Sequence, residues 1–345
     1  MRGGRGTVRL SIGTEHRILL TKSRTLARLA CLFLFGAAGV AMVPAHAGTV
    51  ALTFDDLPVF GTFYTPAQGE DVTTRLLDGL NRHHLQAIGF VNEIQLDNGY
   101  RESRIALLKQ WLDAGMDLGN HSYSHPSLTR TPVDAYIADV AKGETVTKAL
   151  LAAKGRRERY YRYPYLETGA TLADRQTFER WLTDHGYTVA PASMENSDWE
   201  FAGPYSAALA HGDTAAAQHI RAAYLAYSAA IIPWYRQAAT QLLGREPAFV
   251  MLLHASRLNA DSIDDLAAIL QKNGLRSISL DRALRDPAYK IPDNYVGPDG
   301  DVWVTRWSLS LGKSLPYASQ PRVPDEIATL NAQLSAPPPP ASPKP

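Results

Sequence analysis

Strand-like and helix-like segments alternate from residue 49 to residue 278, which predicts an α/β protein built on a parallel sheet, open or closed into a barrel. A second observation agrees. The residues able to carry chemistry, Asp55, Asp56, His121, Arg162, Asp198 and His254, fall at the predicted C-terminal ends of strands, where α/β barrels place their active sites. A third narrows the class: no GxGxxG or P-loop pattern is present, so nucleotide binding has no support.

The elements follow in order. Residues 49–54, Thr-Val-Ala-Leu-Thr-Phe, are mostly apolar and read as a strand buried on both faces. Val72, Leu76, Leu77 and Leu80 have helical spacing and predict a helix over 71–84. A strand over 87–91, a helix over 104–114 and a short strand over 116–119 come next. One helix over 133–153, a short strand over 159–163, a helix over 172–185 and a strand over 187–190 continue the alternation. The alanine-rich stretch 206–243 reads as one or two inserted helices, whose Tyr224, Tyr227, Trp234 and Tyr235 are expected to pack in the core. The very apolar run 249–253 predicts a strand, followed by a helix over 263–272 and a last strand over 275–278. After Asp286 the pattern loosens, although Trp303 and Trp307 imply packing onto the domain, and residues 337–345 form a proline-rich tail.

The N-terminus is read apart from this fold. Arg24 and Arg28 precede the apolar segment 29–40, and Ala45-His46-Ala47 supplies a small-residue cleavage pattern. That order predicts a secretory signal peptide over 1–47, hence an exported protein, periplasmic or secreted, with no stable membrane span once the signal is removed. Cleavage would remove Cys31, the one cysteine, leaving neither disulfide nor thiol chemistry. The formal net charge of +1 argues against a nucleic-acid partner, which selects a basic face.

Two adjacent carboxylates, Asp55 and Asp56, at the end of an apolar strand are costly to bury unless a cation or hydrogen-bond donors compensate. His121 and His125, four residues apart, supply further candidate metal ligands and would face one point if their segment formed a helical turn. Both carboxylates can reach one site only if the strand ends by Asp55, because successive strand side chains point to opposite faces. The combination suggests a metal-assisted hydrolase.

The order of these motifs resembles the polysaccharide deacetylase family, the NodB-homology carbohydrate esterases of family 4. The matching segments are Thr53-Phe54-Asp55-Asp56, His121-Ser122-Tyr123-Ser124-His125, Arg162-Tyr163-Pro164-Tyr165, Asp198-Trp199 and Leu252-Leu253-His254. The resemblance runs from about residue 49 to residue 284. It implies a distorted (β/α) barrel of the polysaccharide deacetylase type, with a helical insertion (about 204–245) before the last catalytic motif. On this basis the catalytic domain is placed at 48–286 and a C-terminal extension at 287–345.

The resemblance also implies roles. Asp56, His121 and His125 would hold one divalent metal ion, zinc first, with cobalt, iron or nickel also suited to a carboxylate and two imidazoles. Asp55 would be the general base, His254 the general acid, Asp198 its orienting partner and Arg162 the partner of Asp55. The Tyr165 backbone N–H would stabilise the oxyanion, and Trp199 and Leu252 would line an acetyl pocket. The implied substrate is an N-acetylated glycan such as peptidoglycan or an N-acetylglucosamine polymer. An O-acetyl esterase or small-amide hydrolase on the same site, and a non-catalytic glycan-binding envelope protein on the same fold, are the alternatives. Asn92, Glu93 and Glu195 stand near the predicted site without an assigned role.

Overall fold

The structure is a computed structural model and describes residues 48–61, 64–97 and 99–335; the expected signal peptide and the proline-rich tail lie outside them. The elements are β1 (Gly48–Leu57), α1 (Pro66–Arg82), β2 (Ala87–Val91), α2 (Arg101–Asp113), β3 (Asp117–Asn120), α3 (Val133–Lys142), α4 (Thr145–Ala153), β4 (Tyr160–Tyr161), α5 (Leu172–Asp184) and β5 (Thr188–Val189). They continue with β6 (Met194–Glu195), α6 (Asp198–Ala210), α7 (Thr214–Leu243), β7 (Ala248–His254), α8 (Arg257–Lys272), β8 (Leu275–Ser277), α9 (Leu280–Ala283), α10 (Trp303–Ser310) and α11 (Asp325–Ser335).

All strand pairings are parallel, in the order β5-β4-β3-β2-β1-β7-β6, with β8 pairing the first residues of β1. The sheet curls into an incomplete barrel, because β5 and β6 follow each other in sequence but do not pair. β1 runs through the middle. Its apolar residues Val50, Ala51, Leu52 and Phe54 are buried, as a parallel strand covered on both faces must be. Helices cover the outside, and Phe54 meets Trp111 of α2 edge to face at 5.6 Å in the main core.

The single helix expected over 133–153 is two, α3 and α4, broken around Gly143. A Cβ at Gly143 would lie 2.4 Å from the backbone of Ser122, so glycine lets this turn press against the segment carrying the two histidines. The insertion is also two helices, with α6 beginning ahead of the expected residue 204. Tyr224 and Tyr227 pack in the core as expected, whereas Trp234 and Tyr235, though largely buried, also face a cavity.

The segment after Asp286 fills the break in the barrel. The Trp303 N–H donates to the Ala192 carbonyl between β5 and β6 at 2.7 Å. The fully buried Arg306 donates to the Leu166 carbonyl (2.5 Å), Thr168 Oγ1 (2.9 Å) and Asp293 (3.1 Å). Removing one partner of a buried ion pair strands the other, so Arg306→Ala is expected to cost about 3–5 kcal/mol. Denaturant unfolding measures this; a change within experimental error would show the segment to be an ornament.

Candidate active site

Asp55 and Asp56 both reach the site because β1 does not end at Asp55. It runs to Leu57 through an irregularity: the pairing register with β2 shifts between Phe54 and Leu57, and Asp56 takes a left-handed conformation (φ 60°). This breaks the alternation of side-chain direction that would have sent one carboxylate away.

His121 follows β3 directly, and His125 lies in a loop, not in the expected helical turn. Ser122 (φ 68°) and His125 (φ 58°) are left-handed, and this brings the two rings to 4.8 Å. The loop is tied down by Asp139, which accepts from the Tyr123 and Ser124 N–H groups at 3.0 Å, and by Ser122 Oγ, which accepts from the His125 N–H. Asp56 Oδ1 lies 3.7 Å from His121 Nε2 and 3.5 Å from His125 Nε2.

These three side chains fit a metal ion. Asp56 Oδ1 is buried without a hydrogen-bond partner, and one ligand atom from each residue falls within a 4.8 Å cluster. Bonds of about 2.0–2.1 Å in tetrahedral geometry put ligand atoms roughly 3.3 Å apart, close to the spacings found. His121 Nδ1 lies 2.8 Å from the Arg162 carbonyl, a contact that fixes its proton there and leaves Nε2 free to ligate. Burial, then the neighbouring His125, holds the His121 pKa well below its usual value, which keeps the ring neutral.

Arg162 follows β4 and is fully buried. Its Nη1 donates to both Asp55 oxygens (3.2 and 3.4 Å), Nη2 to Thr53 Oγ1 (2.9 Å) and Nε to the Ala190 carbonyl (2.6 Å). Burial pushes the Asp55 carboxyl up to about 6, against the opposing pull of Arg162. At neutral pH Asp55 is therefore ionised yet basic enough to accept a proton.

On the other side of the cluster, His254 ends β7, with Nε2 4.0 Å from Asp56 Oδ2. Asp198 does not end a strand as expected. β6 stops at Glu195, and Ser197, left-handed at φ 49°, turns the chain so that Asp198 opens α6. Asp198 accepts from His254 Nδ1 (2.8 Å), from the His254 N–H (2.6 Å) and from Asn259 Nδ2. Burial opposes a charge on His254, but Asp198 outweighs it and lifts the pKa to about 9. Asp198→Asn should move the alkaline limb of a pH–rate profile below 9, because the charge favouring the protonated ring is gone, and lower kcat on the order of 100-fold or more. An unmoved limb would free His254 of this dependence.

Tyr165, Trp199 and Leu252 all line the same cavity, of about 580 Å³. Tyr165 is left-handed (φ 57°) and meets the His125 ring edge to face at 4.4 Å. Glu195 lines the cavity too; its Oε2 accepts from the Ser197 N–H, and burial pushes its carboxyl up to about 7. Asn92 and Glu93 do not line it. Asn92 Nδ2 donates to the His121 carbonyl, and Glu93 Oε1 accepts from the N–H groups of Val146 and Thr147 at the start of α4.

Sequence reasoning missed other contributors. Asn259 bridges Asp198 and the His254 carbonyl, and is itself held by the Tyr224 hydroxyl at 2.6 Å. Phe60 packs on the His254 ring at 4.6 Å, and Gly300, Asp301 and Val302 reach the cavity from the C-terminal segment. Helical spacing marks Tyr224 as inward-facing, but Asn259 lies ahead of the helix expected over 263–272, on the first turn of α8 (Arg257–Lys272), and no local pattern joins either residue to Asp198.

Fold and site together define an α/β barrel protein with a candidate metal centre at the C-terminal ends of its strands. Residues 43–189 match the sequence model of the polysaccharide deacetylase family. The chain is 28% identical over 160 residues to a peptidoglycan-N-acetylglucosamine deacetylase of Bacillus cereus, covering 46% of this chain and 48% of that protein. It is 22% identical over 249 residues to a peptidoglycan-N-acetylmuramic acid deacetylase of Bacillus subtilis, covering 71% and 74%. Among solved structures, a family 4 carbohydrate esterase from Streptomyces lividans in complex with acetate aligns with a TM-score of 0.43 at 24% identity, over 68% of this chain and 95% of that one. The chain spans about half the length of the Bacillus cereus relative.

Proposed function

We propose that the protein is an exported, metal-dependent hydrolase that removes N-acetyl groups from an N-acetylated glycan. The observation that carries this reading is the placement of a base and an acid on either side of the ligand cluster: Asp55 Oδ2 is 3.8 Å from His121 Nε2, and His254 Nε2 is 4.0 Å from Asp56 Oδ2. The relatives named for peptidoglycan deacetylation support the substrate class.

Asp56, His121 and His125 would hold the ion, and zinc suits one carboxylate and two imidazoles. When bound, it supplies Lewis-acid polarisation and a water of lowered pKa. Asp55 takes the proton of the attacking water, and Arg162 keeps that carboxylate ionised and aimed. His254 gives its Nε2 proton to the departing nitrogen, a step an amide needs because an unprotonated amine leaves poorly. Asp198 holds the ring in the required orientation and stabilises its charge. The Tyr165 N–H is assigned to the developing oxyanion.

The cavity lining includes the carboxylates Asp55, Asp56, Glu195 and Asp301 and, among the described residues, no Lys or Arg. This favours a neutral N-acetylhexosamine over an acidic sugar. Parallel assays test the reading: equal release of acetate and free amine from N-acetylglucosamine oligomers is expected, and release only from O-acetyl esters would refute it. Export rests on the basic, apolar and Ala-x-Ala order of residues 24–47; the mature protein should begin at Gly48 and be found outside the cytoplasm. No helix among the described residues is long and apolar enough to cross a membrane.

A further inference from the structure

Asp55, Asp56, His121 and His125 line the cavity from within the matched segment 43–189, but much of its wall comes from outside it. Trp199, Trp234 and Tyr235 belong to α6 and α7, and Gly300, Val302 and Tyr317 to the C-terminal segment. These two parts join into one barrier.

At one end the barrier is fixed to the loop after β4. A Cβ on Gly300 would lie 1.8 Å from the Tyr165 carbonyl oxygen, so only glycine allows this backbone-to-backbone approach. Arg306 ties the same loop through the Leu166 carbonyl, and the Trp303 N–H closes onto Ala192 in the gap between β5 and β6. At the other end the Trp234 Nε1–H donates to the Pro316 carbonyl (3.2 Å), Tyr317 packs against Trp234 (ring centroids 6.4 Å apart), and Lys313 Nζ donates to the Leu242 carbonyl at the end of α7 (2.9 Å). The C-terminal segment is thus anchored at the Tyr165 loop on one end and at α7 on the other, and its Gly300, Val302 and Tyr317 line the site between them.

A glycan that reacts at an internal sugar must leave the site in two directions. Here one direction meets this wall, and the cavity of about 580 Å³ has the size of a small-ligand pocket. We infer that the site takes a chain end: the terminal N-acetylated sugar of an oligosaccharide, or a free mono- or disaccharide, and not an internal residue of a polymer. Trp199, Trp234 and Tyr317 give this pocket an aromatic rim against which the apolar face of a sugar ring can lie. The inference rests on the deacetylase reading above.

The test uses the full mature chain loaded with zinc, the N-acetylglucosamine hexamer labelled at its reducing end, and the dimer. Mass spectrometry locates the first free amine. The expected result is a first deacetylation confined to one terminal sugar, with kcat/KM no higher for hexamer than for dimer. Internal sugars reacting first, or kcat/KM climbing with chain length, would overturn the inference while leaving the deacetylase reading intact. Acetate release from neither substrate would overturn both. Tyr317→Ala removes a half-exposed rim residue and is expected to let internal sugars react; an unchanged terminal preference in that variant would overturn the assignment of the preference to this wall.

Discussion

Asp55→Asn is expected to lower kcat by on the order of 100- to 10,000-fold, the usual contribution of a positioned general base, while metal binding persists. The two carboxylates are neighbours in sequence but not in role. Asp56 Oδ1 has no hydrogen-bond partner and faces both imidazoles, whereas both oxygens of Asp55 are engaged by Arg162. An amide at position 55 keeps the shape and loses the proton acceptor. Turnover, metal content and glycan binding measured on one preparation separate the roles. Retained metal with lost turnover is the expected pattern, and it would also dispose of the non-catalytic glycan-binding alternative. Loss of metal together with turnover would make Asp55 a ligand and reverse the assignment.

His121→Ala is expected to abolish tight metal binding and activity together. The ring sits at the centre of the site, held by the Arg162 carbonyl on one nitrogen and facing Asp56 with the other. A metal in thousand-fold excess over its Kd adds about 4 kcal/mol to the stability of the native state. For a domain of this size that is a shift in Tm on the order of 10 °C. The native protein should therefore melt higher with added zinc and His121→Ala should not. A variant that still melts higher with zinc would place the ion elsewhere.

Much of the fold could be read from the chain because its signals are local. The strand expected over 87–91 is observed with the same bounds, and the apolar runs of β1 and β7 mark strands covered on both faces. Asp55, Asp56, His121 and His125 stood out because carboxylates and imidazoles at short spacing suggest a metal site, whereas Arg162, Asp198 and His254 are weak singly and were picked out by the order of the motifs. What escaped is set by backbone conformation and long-range contact. Ser122 and His125 are left-handed without being glycine, so nothing in His121–His125 distinguished this loop from a helical turn. The irregularity at Asp56 has no sequence mark either. β6 is two residues long, too short to show periodicity, so the turn that delivers Asp198 on a helix was invisible. The part played by the C-terminal segment depends on pairs such as Gly300 with Tyr165, more than a hundred residues apart, which only the folded chain brings together.

The central claim is that Asp56, His121 and His125 form a metal centre that serves amide hydrolysis. Acetate release from N-acetylglucosamine oligomers by the mature protein tests it most directly, measured as purified, after chelation, and after zinc or cobalt is restored. The account predicts activity that disappears on chelation and returns with metal. Acetate release undiminished in fully chelated protein, or none from a folded protein carrying its metal, would contradict it.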